Sequence, residues 1–106
     1  MGDNMNYDRE TKKVVVDAGH GGVDPGASGN GIIEKEYNLK IANYIYDRLK
    51  DLGVPVSITR TSDVTLNPND RVNGILNAYG NNNDVILLSN HLNAGGGDSH
   101  CVTKYV

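Results

Sequence analysis

Val14-Val15-Val16-Asp17-Ala18-Gly19-His20-Gly21-Gly22 is the stretch on which the fold turns. Three consecutive β-branched apolar residues predict a short strand buried on both faces. The apolar run stops at Asp17, and Gly19, Gly21 and Gly22 then release the backbone into a turn that bulkier residues could not follow. His20 is held in the middle of that turn. A side chain presented where a rigid buried strand gives way to an open loop is well placed for chemistry. The plain alternative is an ordinary turn carrying a solvated imidazole.

Outward from this stretch, Lys12 to Asp17 is the first expected strand. Residues 18–32 hold six of the thirteen glycines together with Pro25, which predicts a long loop. Glu34 to about Leu52 is the best helix: Tyr37, Ile41, Tyr44, Ile45, Leu49 and Leu52 fall on one stripe, with Glu36, Lys40, Asn43, Asp47 and Lys50 opposite. Gly53 is placed to end it. Val54 to Thr59 reads as a second strand, and Arg60 to Thr65 as a polar connection. Asn67-Pro68-Asn69-Asp70 combines a capping residue, a proline at the first helical position and an acid in the first turn, so a second helix is expected through about Ala78. Asp84 to Leu88 is a third strand, running into a loop Ser89-Asn90-His91-Leu92-Asn93-Ala94-Gly95-Gly96-Gly97.

Strands alternating with helices predict an α/β fold, a βαβαβ core with a mostly parallel sheet flanked by helices and right-handed crossovers. The C-terminal ends of parallel strands share one edge of the sheet, so His20 and His91 are expected on the same rim. Residues 1–11 are polar and aperiodic and read as a leader, leaving 12–106 as one domain.

Composition narrows the function. The net charge is −3 and no basic run exists, which gives nucleic acid little electrostatic purchase. The longest apolar runs are four residues, too short for a membrane span, and no signal peptide is visible. The single cysteine, Cys101, excludes an internal disulfide.

Glu34 supplies a third candidate. At about 100° per residue it points along the direction of Ile41, Ile45 and Leu52, in the centre of the apolar stripe, whereas Glu36 points roughly to the opposite side. An inward carboxylate needs a partner, because burying an unpaired charge is costly. It could cap its helix or bridge to an arginine. Beside two strand-end histidines it also completes the His2Glu donor set of catalytic zinc sites, so His20, Glu34 and His91 are the expected metal ligands. Other candidates are weaker: His100 reads as a surface residue, Ser28 and Ser89 lack an elbow motif, and Cys101 lacks an activating pattern. Gly19 to Gly22 is a poor phosphate loop, since no G-x-G-x-x-G opens a helix.

The runs VVVDAGHGGVDPGASGNGIIEKEYNLKIANYI, ITRTSD, NPNDRVNGILNA and VILLSNHLNAGGG together resemble the zinc-dependent N-acetylmuramoyl-L-alanine amidases, cell-wall hydrolases of bacteria and phages. The resemblance covers about residues 12–98. It implies one zinc on His20, Glu34 and His91, and peptidoglycan as substrate, cleaved between N-acetylmuramic acid and L-alanine. It implies action outside the cell or in the wall, as an autolysin or a phage endolysin. The family also carries a general-base glutamate well downstream of the second histidine motif, whereas no acid follows Asp98 here. The expectation is therefore a domain lacking the family's final strands and helix, with its catalytic base beyond Val106. Such a chain would be weakly active and prone to self-association through an exposed sheet edge. The alternatives are a non-catalytic zinc- or wall-binding fragment and a metal-free α/β fragment.

Overall fold

The computed structural model describes residues 12–93 and 100–102, with Asn93 and the last three described by backbone alone. The expected leader, 1–11, and the glycine run 95–97 lie outside the described residues, as do the side chains of His100 and Cys101. The elements are β1 (Lys13–Ala18), β2 (Ser28–Gly29), β3 (Ile32–Ile33), α1 (Glu34–Asp51), β4 (Val56–Ile58), α2 (Pro68–Tyr79), β5 (Val85–Asn93) and β6 (His100–Val102).

The main sheet has the order β4-β1-β5-β6. Its first three strands are parallel, with Val14 opposite Val56 and Ile86, and Val16 opposite Ile58 and Leu88. β6 adds antiparallel to the far end of β5. The crossovers β1-α1-β4 and β4-α2-β5 step in opposite directions, so right-handed connections place the two helices on opposite faces. This is the α/β architecture that the alternation of elements predicts. β1 lies at the centre because it is apolar on both faces: Val14, Val16 and Ala18 pack toward Ala42 of α1 with Ile45, Leu49, Val56, Ile58 and Leu88, while Val15 is buried in its own right.

Four expectations change. The buried arc of α1 is Glu34, Asn38 and Ala42, continued by Ile45 and Leu49, whereas Tyr37, Tyr44 and Leu52 are 41%, 67% and 50% exposed. A small residue at 42 lets the helix seat closely on the sheet. The tyrosines, about 60–80° of helical rotation from Glu34, fall on its flank; Leu52 is the C-cap, where the chain turns away. The second strand is shorter than Val54 to Thr59. The loop 18–32 contains a small hairpin, β2 with β3, across Asn30-Gly31, whose φ values of 53° and 79° match the Asn-Gly turn that suits two-residue hairpins. Finally, β5 does not end at Leu88. It continues through Ser89, Asn90 and His91 because Asp17 and Ala18 of β1 keep pairing with it and β6 joins its end, so His91 sits on a strand and not in a loop.

The helix ends follow local chemistry. No side chain caps α1; its first N–H groups donate to the carbonyls of Ala27 and Pro25 in the preceding loop, at 2.9 and 3.0 Å. In α2, Asn67 Oδ1 accepts from the Asp70 N–H at 2.8 Å, as the Asn-Pro-x-Asp pattern predicts.

Val16→Ala should cost about 2–3 kcal/mol of stability through lost burial and a cavity, whereas Val23→Ala, at an 85% exposed position, should stay within about 0.5 kcal/mol. Denaturant midpoints measure both, and comparable losses would contradict this placement of the core.

Candidate metal centre

Where β1 ends, the chain must leave the sheet without orphaning its carbonyls. Two arginines solve this. Arg60, only 4% exposed, donates from Nε to the Ala18 carbonyl and from Nη2 to those of Gly19 and Lys35. Arg71 of α2 donates to the carbonyls of Ala18 and His20 and to the Asp17 carboxylate. Asp17 also accepts from the hydroxyls of Thr59 and Ser89. So clamped, His20 adopts a left-handed backbone at φ 60°, unusual for a residue with a side chain.

The three expected ligands converge. His20 Nε2 and His91 Nδ1 each lie 3.2 Å from Glu34 Oε2. One donor atom from each residue falls within 4.8 Å of the others. The imidazoles meet edge to face, their centroids 5.1 Å apart. Glu34 is buried at the start of α1; its Oε1 accepts from the Ala27 N–H at 2.9 Å, and its Oε2 from the Leu92 N–H and Asn38 Nδ2 at 3.1 Å each. Burial pushes this carboxyl's pKa up. The hydrogen bonds from Ala27, Asn38 and Leu92 and the neighbouring His20 outweigh it, holding the group below the ordinary glutamate range and therefore ionised. On the other side of His20, Nδ1 lies 2.8 Å from Asp24 Oδ2. That hydrogen bond is the first cause of a lowered Asp24 pKa, assisted by the Gly26 N–H. With the proton on Nδ1 donated to Asp24, the Nε2 lone pair faces Glu34.

The donor chemistry fits a tetrahedral divalent ion. Bonds of about 2.0–2.1 Å set tetrahedral ligand atoms about 3.3 Å apart, close to the two 3.2 Å separations. The surrounding backbone is shaped for the rings. A Cβ on Gly19 would meet the His91 ring at 2.4 Å, and one on Gly26 would meet Glu34 Oε1 and the His20 ring at 2.6 and 2.7 Å. Two imidazole nitrogens and an ionised carboxylate oxygen thus form an open three-donor cluster on the rim of the sheet.

Other candidates are excluded by their partners. Ser89 is buried and donates to Asp17, so it is no nucleophile. The turn at 21–24 is closed on itself by Gly21 and Asp24, and the N–H groups of Gly22 and Val23 are taken by Asp63 and Thr65; none is left to cradle a phosphate. Sequence reasoning missed Asp24, Arg60, Arg71 and Asn38. The signal for Asp24 was its distance of four residues from His20; the arginines join the site only through tertiary contacts.

Comparison with known proteins shows the family and the fold. The family described as N-acetylmuramoyl-L-alanine amidase matches residues 14–106. The chain is 44% identical over 87 residues to the sporulation-specific N-acetylmuramoyl-L-alanine amidase of Bacillus subtilis (strain 168), covering 80% of this chain and 32% of that protein. Among solved structures, the catalytic domain of the amidase CwlV from Bacillus (Paenibacillus) polymyxa var. colistinus superposes with a TM-score of 0.69 at 36% identity, over 80% of this chain and 48% of that one. The amidase AmiC2 of Nostoc punctiforme gives 0.70 at 30% identity, over 83% and 47%. The chain spans less than half the length of the curated relatives it matches, from 16% to 40% among them.

Gly19→Ala should displace the His91 ring and lower divalent-metal affinity by at least about 10- to 100-fold, while Gly29→Ala, where a Cβ meets nothing within 4 Å, should leave it unchanged. Chelator competition reads both; equal affinities would contradict the stacking of His91 on Gly19. Asp24, Glu34 and Asp63 all have lowered pKa values, from ordinary values of 3.8, 4.5 and 3.8. A depressed carboxylate contributes stability that is complete above its unfolded pKa and is lost as pH falls through the folded one. The metal-free protein should therefore hold a constant denaturation midpoint near neutrality and lose stability below about pH 4. Asp63→Asn, which removes the titratable anion paired with Lys35 while leaving an oxygen to accept from the Gly22 N–H, should make that acid limb shallower; an unchanged limb would contradict the assignment.

Proposed function

The chain belongs to the N-acetylmuramoyl-L-alanine amidase family, and from that premise we propose that it forms the zinc-binding part of a peptidoglycan hydrolase. The bond cut is the amide joining the lactyl group of N-acetylmuramic acid to L-alanine of the stem peptide, and the place of action is the cell wall. The observation that carries this reading is the convergence of His20, Glu34 and His91 on one point of the rim.

His20 through Nε2, His91 through Nδ1 and Glu34 through Oε2 would hold the ion. Zinc in such a site supplies Lewis acidity, polarising an amide carbonyl and activating water near neutral pH. The chain's own residues prepare for it. Asp24 fixes the His20 tautomer, the hydrogen bonds to Glu34 keep it anionic, and two neutral imidazoles with one carboxylate leave a zinc site at net charge +1, suited to a developing oxyanion. Neither carboxylate at the cluster suits the role of general base. That role needs a pKa near the working pH, and Glu34 and Asp24 are both held low. The family resemblance implies a further glutamate in that role. The rim lies at an edge of the sheet, where a polymer can reach it.

The test is digestion of purified peptidoglycan by the zinc-loaded protein, scoring new amino-terminal alanine against new reducing sugar ends. Slow release of amino termini without reducing ends is expected, because neither carboxylate at the cluster serves as the base, and it should be abolished by chelation and restored by zinc. Reducing ends would assign the wrong bond, and zinc binding with sacculus binding but no cleavage would favour the non-catalytic wall-binding reading. Within the site, Glu34→Gln should reduce zinc affinity by at least about 100-fold through loss of an anionic ligand, and Glu36→Gln, exposed on the outer side of α1, should change it less than about twofold. Equal losses in a chelator competition would remove Glu34 from the ligand set.

A further inference from the structure

Asn38 lies on α1 one turn beyond Glu34 and is completely buried. Its Nδ2 donates to Glu34 Oε2 and to the Gly19 carbonyl, both at 3.1 Å. Its own backbone carbonyl accepts from Asn90 Nδ2 at 3.2 Å. These contacts reach all three elements that carry the cluster: Glu34 itself, the residue before His20 on the β1 loop, and the residue before His91 on β5. The amide has one sensible orientation, because both groups facing Nδ2 are acceptors. That orientation leaves Asn38 Oδ1 buried without a hydrogen-bond partner among the described residues.

An orphaned buried acceptor is a cost that an apolar side chain would avoid. As packing alone, asparagine is the poorer choice at this position beside Ala42 and β1. What the amide supplies that leucine cannot is a donor aimed at the one carboxylate oxygen that faces both histidines. We propose that Asn38 is a positioning residue for the metal cluster, its side-chain amide orienting the Glu34 carboxylate and tying the loop before His20 to it. The inference rests on the zinc reading given under Proposed function. It adds that affinity is set by a residue that touches no metal.

Three variants test it, each compared with the unsubstituted protein by chelator competition for zinc and by the visible spectrum of the cobalt-substituted form. Asn38→Leu keeps the branched skeleton and removes the donor; Asn38→Asp keeps the shape and replaces the donor with an acceptor facing Glu34. Val14→Ala is the control, since it loosens the core at a position remote from the ligands. The Asn38 variants should lose about 10- to 100-fold in zinc affinity and show an altered cobalt spectrum, while Val14→Ala loses stability with affinity within about twofold and an unchanged spectrum. Wild-type affinity in Asn38→Asp or Asn38→Leu overturns the proposal, as does an equal loss in Val14→Ala.

A measurement on the unsubstituted protein serves if the Asn38 variants do not fold. Adding zinc should shift the Asn38 side-chain amide resonances more than those of Asn43 on the same helix, and an Asn38 amide that does not move overturns the proposal. Failure of the unsubstituted protein to bind zinc at all would instead remove the functional reading on which this inference stands.

Discussion

Three successive carbonyl oxygens, those of Ala18, Gly19 and His20, are held by side chains where a neighbouring strand can no longer reach them. A buried carbonyl left without a donor costs about 1–3 kcal/mol, so a strand that ends inside the fold must recruit donors from elsewhere. Arg60 and Arg71 come from different parts of the chain and meet at this one point. The planar fork of a guanidinium serves several carbonyls at once, which a lysine ammonium would do less well. Burial lowers the pKa of Arg60 from the ordinary arginine range, yet the group remains a cation at any physiological pH. His20 owes its unusual backbone to this clamp.

From that fixed end the rest of the site follows by contact. Gly19 is bare because the His91 ring lies over it, and His91 is in place because β5 keeps its register with β1 to Asn90. Glu34 begins α1 where the loop carbonyls of Ala27 and Pro25 receive the helix's first N–H groups. The carboxylate therefore needs no role as a cap, and its oxygens are free to accept from Ala27, Asn38 and Leu92 while facing both histidines. A buried carboxylate surrounded by donors and two imidazoles stays charged with no lysine or arginine paired to it among the described residues. That arrangement suits a cation arriving from outside better than it suits a permanent ion pair.

Much of this was legible in the sequence because it depended on short-range pattern. Three β-branched residues before a glycine turn marked β1, the Asn67-Pro68 start marked α2, and helical phase separated Glu34 from Glu36. The misreadings came where tertiary contacts override local pattern. Tyr37 and Tyr44 count as apolar in a periodicity argument, yet the helix seats on Ala42 and leaves them outside. The polar run Ser89-Asn90-His91 reads as a loop by composition, but Ser89 and Asn90 are buried partners of Asp17 and Asn38, and the strand continues through them. Arg60 and Asn38 look like surface residues in sequence. Each is buried because its donors are matched to carbonyls or carboxylates far away along the chain, and spacing alone does not encode that.

The central claim is that two imidazoles and one carboxylate from three different elements make a zinc site without sulfur. X-ray absorption at the zinc edge of the stoichiometrically loaded protein tests it most directly. The predicted result is a first shell of nitrogen and oxygen only, at about 2.0–2.1 Å, with the outer-shell scattering of two histidine rings. A sulfur shell at about 2.3 Å, such as the thiolate of the single cysteine, Cys101, would supply, or a shell containing fewer than two imidazoles, would contradict the account.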